Sequence, residues 1–226
     1  MIFAVMTISG DPLTDWAAFE LNVRDGIISK DSARSDFPDI YKKIKSEAEQ
    51  YRYSSDVKWS IPIAGCSITD FGKGGFKPDI RYGGSEIKGY DFYDGNRHGG
   101  HPAYDIFIKD KNRDCLDDKS GKSVQVVAPI NCFVLTSSSG WMKGSSIRGG
   151  NYVWAFAPDS GYFLYFAHMR EIKVKPGTFL KQGDTLGTVG RTGKNADIPR
   201  SPTHIHMTVL KVNGENLKPV DFINKF

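Results

Sequence analysis

Long hydrophobic runs are missing from this chain of 226 residues. No stretch approaches the ~20 consecutive apolar residues that a membrane-spanning helix needs. The opening run Met1–Met6 is apolar but short, and it has neither a basic leader nor a cleavage site. The chain therefore reads as cytoplasmic or as a mature form whose export signal is gone. Cysteine is scarce: Cys66, Cys115 and Cys132 form no C-x-x-C and match no zinc-knuckle spacing. A Cys115–Cys132 disulfide with Cys66 free and three unrelated buried thiols both stay open. An excess of either charge is lacking too. The net +4 is small and evenly spread, which argues against a nucleic-acid partner and is compatible with an anionic polymer. There is no internal repeat, no low-complexity tract and no H-E-x-x-H. What remains is the composition of a globular protein, long enough for one large domain or one domain with an appended segment.

Two regions differ in character. Up to about Ser55 the residues are helical in pattern. Asp36-Phe37-Pro38-Asp39 reads as a helix start, with acidic residues and proline in the opening positions. Ile40, Tyr41, Ile44, Ala48 and Tyr51 then recur at helical spacing, giving an amphipathic helix of about four turns. This segment, residues 1–55, carries no recognisable chemistry; packing or a lid is its expected role. From residue 56 to 226 short β-type runs are broken by Gly, Pro and Asn. Ile61–Gly65 and Ser67–Gly72 read as a strand and turn, and Gly72 to Arg97 as a long Gly- and Tyr-rich loop of the kind that is often functional. Tyr104–Ile108, Val124–Val127, Cys132–Leu135, Tyr152–Ala157, Tyr162–Ala167, Thr185–Val189 and His204–Val212 read as strands. The fold expected is mainly β, an antiparallel sheet or flattened barrel, with a small N-terminal helical segment.

Five histidines are present, and two of them stand one residue apart in His204-Ile205-His206. In a strand, residues two apart share a face, so both imidazoles project together while Ile205 and Met207 turn the other way into a core. Such a pair is equally often a hydrogen-bonded couple at a surface. His101-Pro102-Ala103-Tyr104-Asp105 is a second candidate, because residues four apart also share a strand face. His101, Asp105 and His206 together make two imidazoles and a carboxylate. That is the ligand count of a catalytic zinc site with one open position, and also of a non-haem iron site. His168 closes the apolar run Tyr162–Ala167, where burial is costly unless something polar lies opposite.

These residues resemble the lysostaphin/LytM-type zinc endopeptidases that cut peptidoglycan cross-links. The resemblance runs from Trp59 to about Val212 and its landmarks come in the family's order. Ile61-Pro62-Ile63-Ala64-Gly65 through Phe71-Gly72 is similar to the leading motif, and His101 to Asp105 to H-x-G-x-D. Val126-Val127-Ala128-Pro129 resembles the V-x-A-P strand, Tyr165–Met169 the Y-x-H-L region, and Val174–Gly187 the glycine-spaced run. Gly190-Arg191-Thr192-Gly193 and His204-Ile205-His206 are similar to G-x-T-G and H-L-H. Ala103, Cys132 and Thr203 depart from the pattern without removing a ligand. So do the long intervals before His101 and before His204.

The resemblance implies a LytM fold of the duplicated-hybrid-motif-like type over residues 56–226. It implies Zn²⁺ held by His101, Asp105 and His206, with His168 and His204 as catalytic histidines. His98 is left over, and the register makes it a solvated loop residue. The implied activity is hydrolysis of peptide cross-links or stem peptides of bacterial peptidoglycan, with the wall peptide as partner, no nucleic acid, no membrane span and a monomer favoured. Localisation in the cell envelope, periplasmic or secreted, follows only from that substrate. Three other readings start from the same residues: a non-catalytic LytM-like activator or scaffold, a metallopeptidase on a non-wall peptide, and a wall-binding module with an incidental metal. The segment before Ser55, or the Tyr90–Asn96 stretch, is a candidate cover for the groove or donor of a fourth ligand.

Overall fold

The computed structural model describes residues 10–52, 58–72, 75–81 and 85–226. The Met1–Met6 run, the boundary at residue 55 and parts of the Gly72–Arg97 loop (73–74 and 82–84) lie outside the described residues.

Among the described residues the chain builds two antiparallel sheets and a helical layer. The strands are β1 (Ala103–Phe107), β2 (Gln125–Val127), β3 (Cys132–Ser138), β4 (Asn151–Ala157), β5 (Tyr162–Met169), β6 (Glu171–Ile172), β7 (Phe179–Leu180), β8 (Thr185–Thr188), β9 (His204–Asn213) and β10 (Asn216–Pro219). The large sheet runs β1-β9-β5-β4-β3-β7 with β10 also on β9, and the small one runs β2-β8-β6. The sheets do not close into a barrel. The strands expected from Tyr104 onward recur with shifted ends, whereas Ile61–Gly65 gives only an isolated bridge from Ile63 to Val126 and Ser67–Gly72 a 3₁₀ turn at Ile68–Asp70; the short β6, β7 and β10 are additional.

Alternation along β9 decides what each face of the large sheet does. Ile205, Met207 and Val209 are fully buried in a core shared with Val126 and Leu186 of the small sheet. Leu210, on the opposite face, joins Phe163, Trp154, Phe156 and Phe133 under the N-terminal helices. His204 and His206 belong to this helix-side face, as period-two geometry requires.

Two helices cover that face. Helix α1 (Pro12–Arg24) is capped by the Asp11 carboxylate on the Thr14 amide, and no periodicity announced it. Helix α2 (Lys30–Ala48) is capped by Ser29 on the Ser32 amide. It starts six residues before the expected Asp36, and Pro38 sits inside it. The serine cap outranks the proline signal because it satisfies an amide that the helix end leaves free. Ile40, Ile44 and Ala48 are buried as their spacing predicts, while Tyr51 follows in a single 3₁₀ turn. The Asp15 carboxylate, fully covered, holds Lys43 Nζ at 2.7 Å and ties α1 to α2.

All three cysteines are free thiols, so the disulfide alternative is corrected. Cys132 is buried within the inter-sheet core, where burial pushes its thiol up to about 12.

A candidate metal centre in a cavity beneath helix α1

Strands β1 and β9 are paired so that Asp105 lies opposite His206. His101 precedes β1 and bridges to Lys77 of the loop before it. These placements bring one ligand atom from each of His101, Asp105 and His206 to within 4.8 Å of one another. Asp105 Oδ1 lies 3.0 Å from His206 Nδ1, 3.4 Å from His101 Nε2 and 3.9 Å from His204 Nε2. The His168 ring centroid is 4.9 Å from that of His204 and 5.8 Å from that of His206. All five residues singled out in the sequence therefore meet.

Second partners orient the rings. His101 Nδ1 is hydrogen-bonded to the Gly75 carbonyl, His168 Nδ1 to that of Thr192 at 2.8 Å, and His204 Nδ1 to that of Pro202 at 2.7 Å. A carbonyl only accepts, so each Nδ1 carries the proton and each Nε2 is left with its lone pair facing the cluster. His168 has φ +67, a left-handed conformation that costs a non-glycine residue about 1–2 kcal/mol. Its amide is held by the Gly149 carbonyl at 2.8 Å. Gly190 leaves no room for a side chain here: a Cβ would sit 2.7 Å from the His168 carbonyl oxygen and 2.3 Å from the Arg170 amide.

Electrostatics suit a cation. Burial alone would raise the Asp105 carboxyl, but the close contacts of His101 and His206 and the attraction of the surrounding imidazoles outweigh it, holding the acid well below the usual range. Burial lowers His206. It also pushes His168 well down, helped by the charges of His204 and His206. Two imidazole nitrogens and an ionised carboxylate, converging and largely covered, fit Zn²⁺ with a coordination position left open.

His98 is not the solvated residue expected. It is half-buried against Tyr90, ring centroids 4.9 Å apart, and burial lowers it to about 4. Its Nδ1 bonds to the Gly99 carbonyl at 2.7 Å, and it takes no part in the three-ligand cluster. The 90–96 stretch likewise gives that cluster no ligand, but with α1 it does wall the site.

The cluster opens into a cavity of about 950 Å³ that extends under helix α1 to Glu20, Arg24, Tyr90, Tyr152, Trp154 and Tyr165. Arg148 Nη1 donates to the Asn96 carbonyl at 2.9 Å and, more weakly, to that of His98 at 3.4 Å, bridging two walls. Gly95, at φ +52, is pressed against α1: a Cβ would lie 2.2 Å from the Val23 carbonyl oxygen. Sequence reading missed this inner end, because its residues come from α1, β4 and β5 and show no local signal.

Glu20 is 5% exposed, and burial raises its carboxyl from 4.5 to about 7 against the opposing pull of Arg24 and Tyr152. The native state thus binds this proton more tightly than the unfolded chain. Relative to Glu20→Gln, wild-type stability should be greatest below pH 4.5 and fall until pH 7, by about 3 kcal/mol in all. Urea denaturation of both proteins at pH 4.5 and 7.5 measures this; parallel profiles would remove the raised acid.

Residues 114–220 match the family model Peptidase family M23. That stretch contains His168, His204 and His206, while His101 and Asp105 lie upstream of it. The chain is 31% identical over 103 residues to the peptidoglycan DD-endopeptidase ShyC of Vibrio cholerae, a match covering 45% of this chain and 22% of that protein. The chain thus matches less than a quarter of the length of this curated relative. Among solved structures, the catalytic domain of the antimicrobial peptidase lysostaphin from Staphylococcus simulans aligns with TM-score 0.45 at 18% identity, covering 70% of this chain and 95% of that one. A putative glycyl-glycine endopeptidase lytM from Ruminococcus gnavus aligns with TM-score 0.45 at 20% identity, covering 84% and 71%.

Proposed function

We propose, from the match of residues 114–220 to Peptidase family M23, that this chain is a zinc-dependent endopeptidase of peptidoglycan peptides. The observation that carries this reading is the convergence of His101, Asp105 and His206 within 4.8 Å, with the His168 and His204 rings beside them. His101, Asp105 and His206 are the ligands in this reading. Bound Zn²⁺ supplies Lewis acidity, which brings the pKa of water from ~16 down towards about 7.

The chain's own residues do the rest. With each Nδ1 committed to a carbonyl, Nε2 of His168 or His204 is the atom that takes the proton of the attacking water and returns it to the leaving amine. The other ring of the pair, once it takes a second proton at Nε2 and becomes an imidazolium, donates to the oxyanion that develops on the scissile carbonyl. Among the described residues no glutamate joins the cluster, which leaves the role of base to the histidines in this reading. Residues 56–226 are the peptidase domain in this reading, and helices α1 and α2 pack over its sheet. The wall peptide is the partner, the envelope the place of action, and the monomer the working unit.

Incubation of the protein with purified peptidoglycan, followed by mass identification of the released fragments, tests this. Fragments with new amino termini should appear, disappear on adding a chelator, and return with added Zn²⁺. Release that is indifferent to the chelator, or that breaks only glycosidic bonds, would sink the proposal.

A further inference from the structure

The inner end of the cavity carries charges and rings that the hydrolytic steps do not use. Glu20 projects from α1 into it and accepts a hydrogen bond from Tyr152 Oη at 3.0 Å. Arg24 stands nearby, but its guanidinium is committed. Nε and Nη2 grip the two Asp25 oxygens at 2.8 and 2.7 Å, and Nη1 donates to Tyr152 Oη at 3.0 Å. Asp25 therefore offsets much of the Arg24 charge, although Arg24 still pulls on Glu20 from a distance. Among the described residues Glu20 has no cation within ion-pair distance of its own. A buried carboxylate without a directly paired counter-ion is costly, and it is stabilised by whatever cation reaches it. Its raised affinity for a proton agrees with that.

Rings line the same recess. Trp154 and Tyr165 lie 4.5 Å apart between centroids, and Tyr152 and Tyr165 5.5 Å; Tyr90 completes the wall. Aromatic faces attract cations, most strongly where water is excluded.

We propose that this recess is an ammonium-binding subsite, taking on Glu20, beside the wall formed by Tyr152, Tyr165 and Trp154, a free amino group of the substrate. The group is either the α-amine of a peptide terminus or the side-chain amine of a diamino acid. The proposal rests on the peptidase reading for what the rest of the cavity holds. Strand spacing gives its reach. His206 pairs with Ala167 of β5, and Tyr152 of β4 lies across from the β5 bulge at Ala167 and His168, between the pairs Asn151–Met169 and Val153–Phe166. Two strand spacings are about 10 Å. An extended peptide covers that in about three residues. The subsite would thus read an amino group about three residues from the bond to be cut. An anionic group is disfavoured there, because the Glu20 carboxylate repels it and Arg24 is already paired with Asp25.

The test is binding of short peptides to the full chain, measured by calorimetry with chelator present so that nothing is hydrolysed. Three forms of one tetrapeptide amide are compared: free α-amine, α-acetylated, and α-acetylated with a lysine at the first position. At least one amine-bearing form should bind about tenfold or more tightly than the acetylated form without lysine, and which one does so identifies the source of the amine. In Glu20→Gln, checked by near-ultraviolet circular dichroism, that preference should vanish while binding of the blocked peptide is unchanged. Should that variant not fold, the wild-type comparison decides alone. Binding of all three forms within twofold, no binding of any at millimolar concentration, or a folded Glu20→Gln that keeps the preference overturns the subsite. A preference for amines in a zinc-loaded protein that hydrolyses no peptide upholds the subsite and removes the peptidase reading instead.

Discussion

Asp105→Ala should purify without zinc and without peptide hydrolysis, whereas His204→Ala should bind zinc as wild type does and lose turnover by about 10²–10⁴-fold. The two substitutions separate because the residues meet the cluster differently. Asp105 Oδ1 is the atom around which the imidazoles gather, at 3.0 Å from His206 and 3.4 Å from His101. Its removal deletes the only carboxylate among the three candidate ligands and leaves two imidazoles, one buried and one half-buried, to share a cation. His204 stands further out, its Nε2 3.9 Å from the same oxygen and its ring nearest His168. Removing it leaves the three ligand atoms in place while taking away a proton acceptor or an oxyanion donor. Zinc stoichiometry by atomic absorption and single-turnover hydrolysis of a wall peptide measure the two quantities independently. Bound zinc and full turnover in Asp105→Ala would falsify the ligand assignment.

The site was legible in the sequence where geometry is set by short-range periodicity. His204 and His206 share a face, and Ile205 and Met207 are buried behind them, because a strand fixes alternation whatever surrounds it. His101 and Asp105 were legible as a pair for the same reason; that they meet His206 depends on the β1–β9 register, which no local pattern encodes. Helix α1 was not legible. Its covered residues include Asp15, Glu20 and Asn22 as well as Trp16, Phe19 and Val23, so no apolar stripe of helical period stands out. The polar residues are tolerated there because Lys43 meets Asp15 and Tyr152 meets Glu20, partners that are distant in sequence. The inner recess was invisible for that reason: its chemistry exists only once α1 lies on β4 and β5.

Trp16→Ala should destabilise the whole chain by about 3–5 kcal/mol, lowering its melting temperature by about 10 °C. Trp16 is fully buried, stacked on Phe163 at 4.8 Å and set edge-on to Trp154 at 5.6 Å. It thus joins α1 directly to β5 and β4, and the cavity left behind is too large for the surrounding rings to fill. This distinguishes packing from a detachable lid. A lid that opens must leave a sheet face that tolerates water. Here removal of the helices exposes Phe133, Trp154, Phe156, Phe163 and Leu210 together, an apolar surface that favours aggregation. A variant lacking the residues before Ser55 should accordingly be insoluble or unfolded, and Trp16→Ala should melt in one transition followed alike by helix and sheet signals. If the truncated chain instead folds and hydrolyses peptide faster than the full one, the helices are a removable cover. An early, separate melting of helix in Trp16→Ala would point the same way.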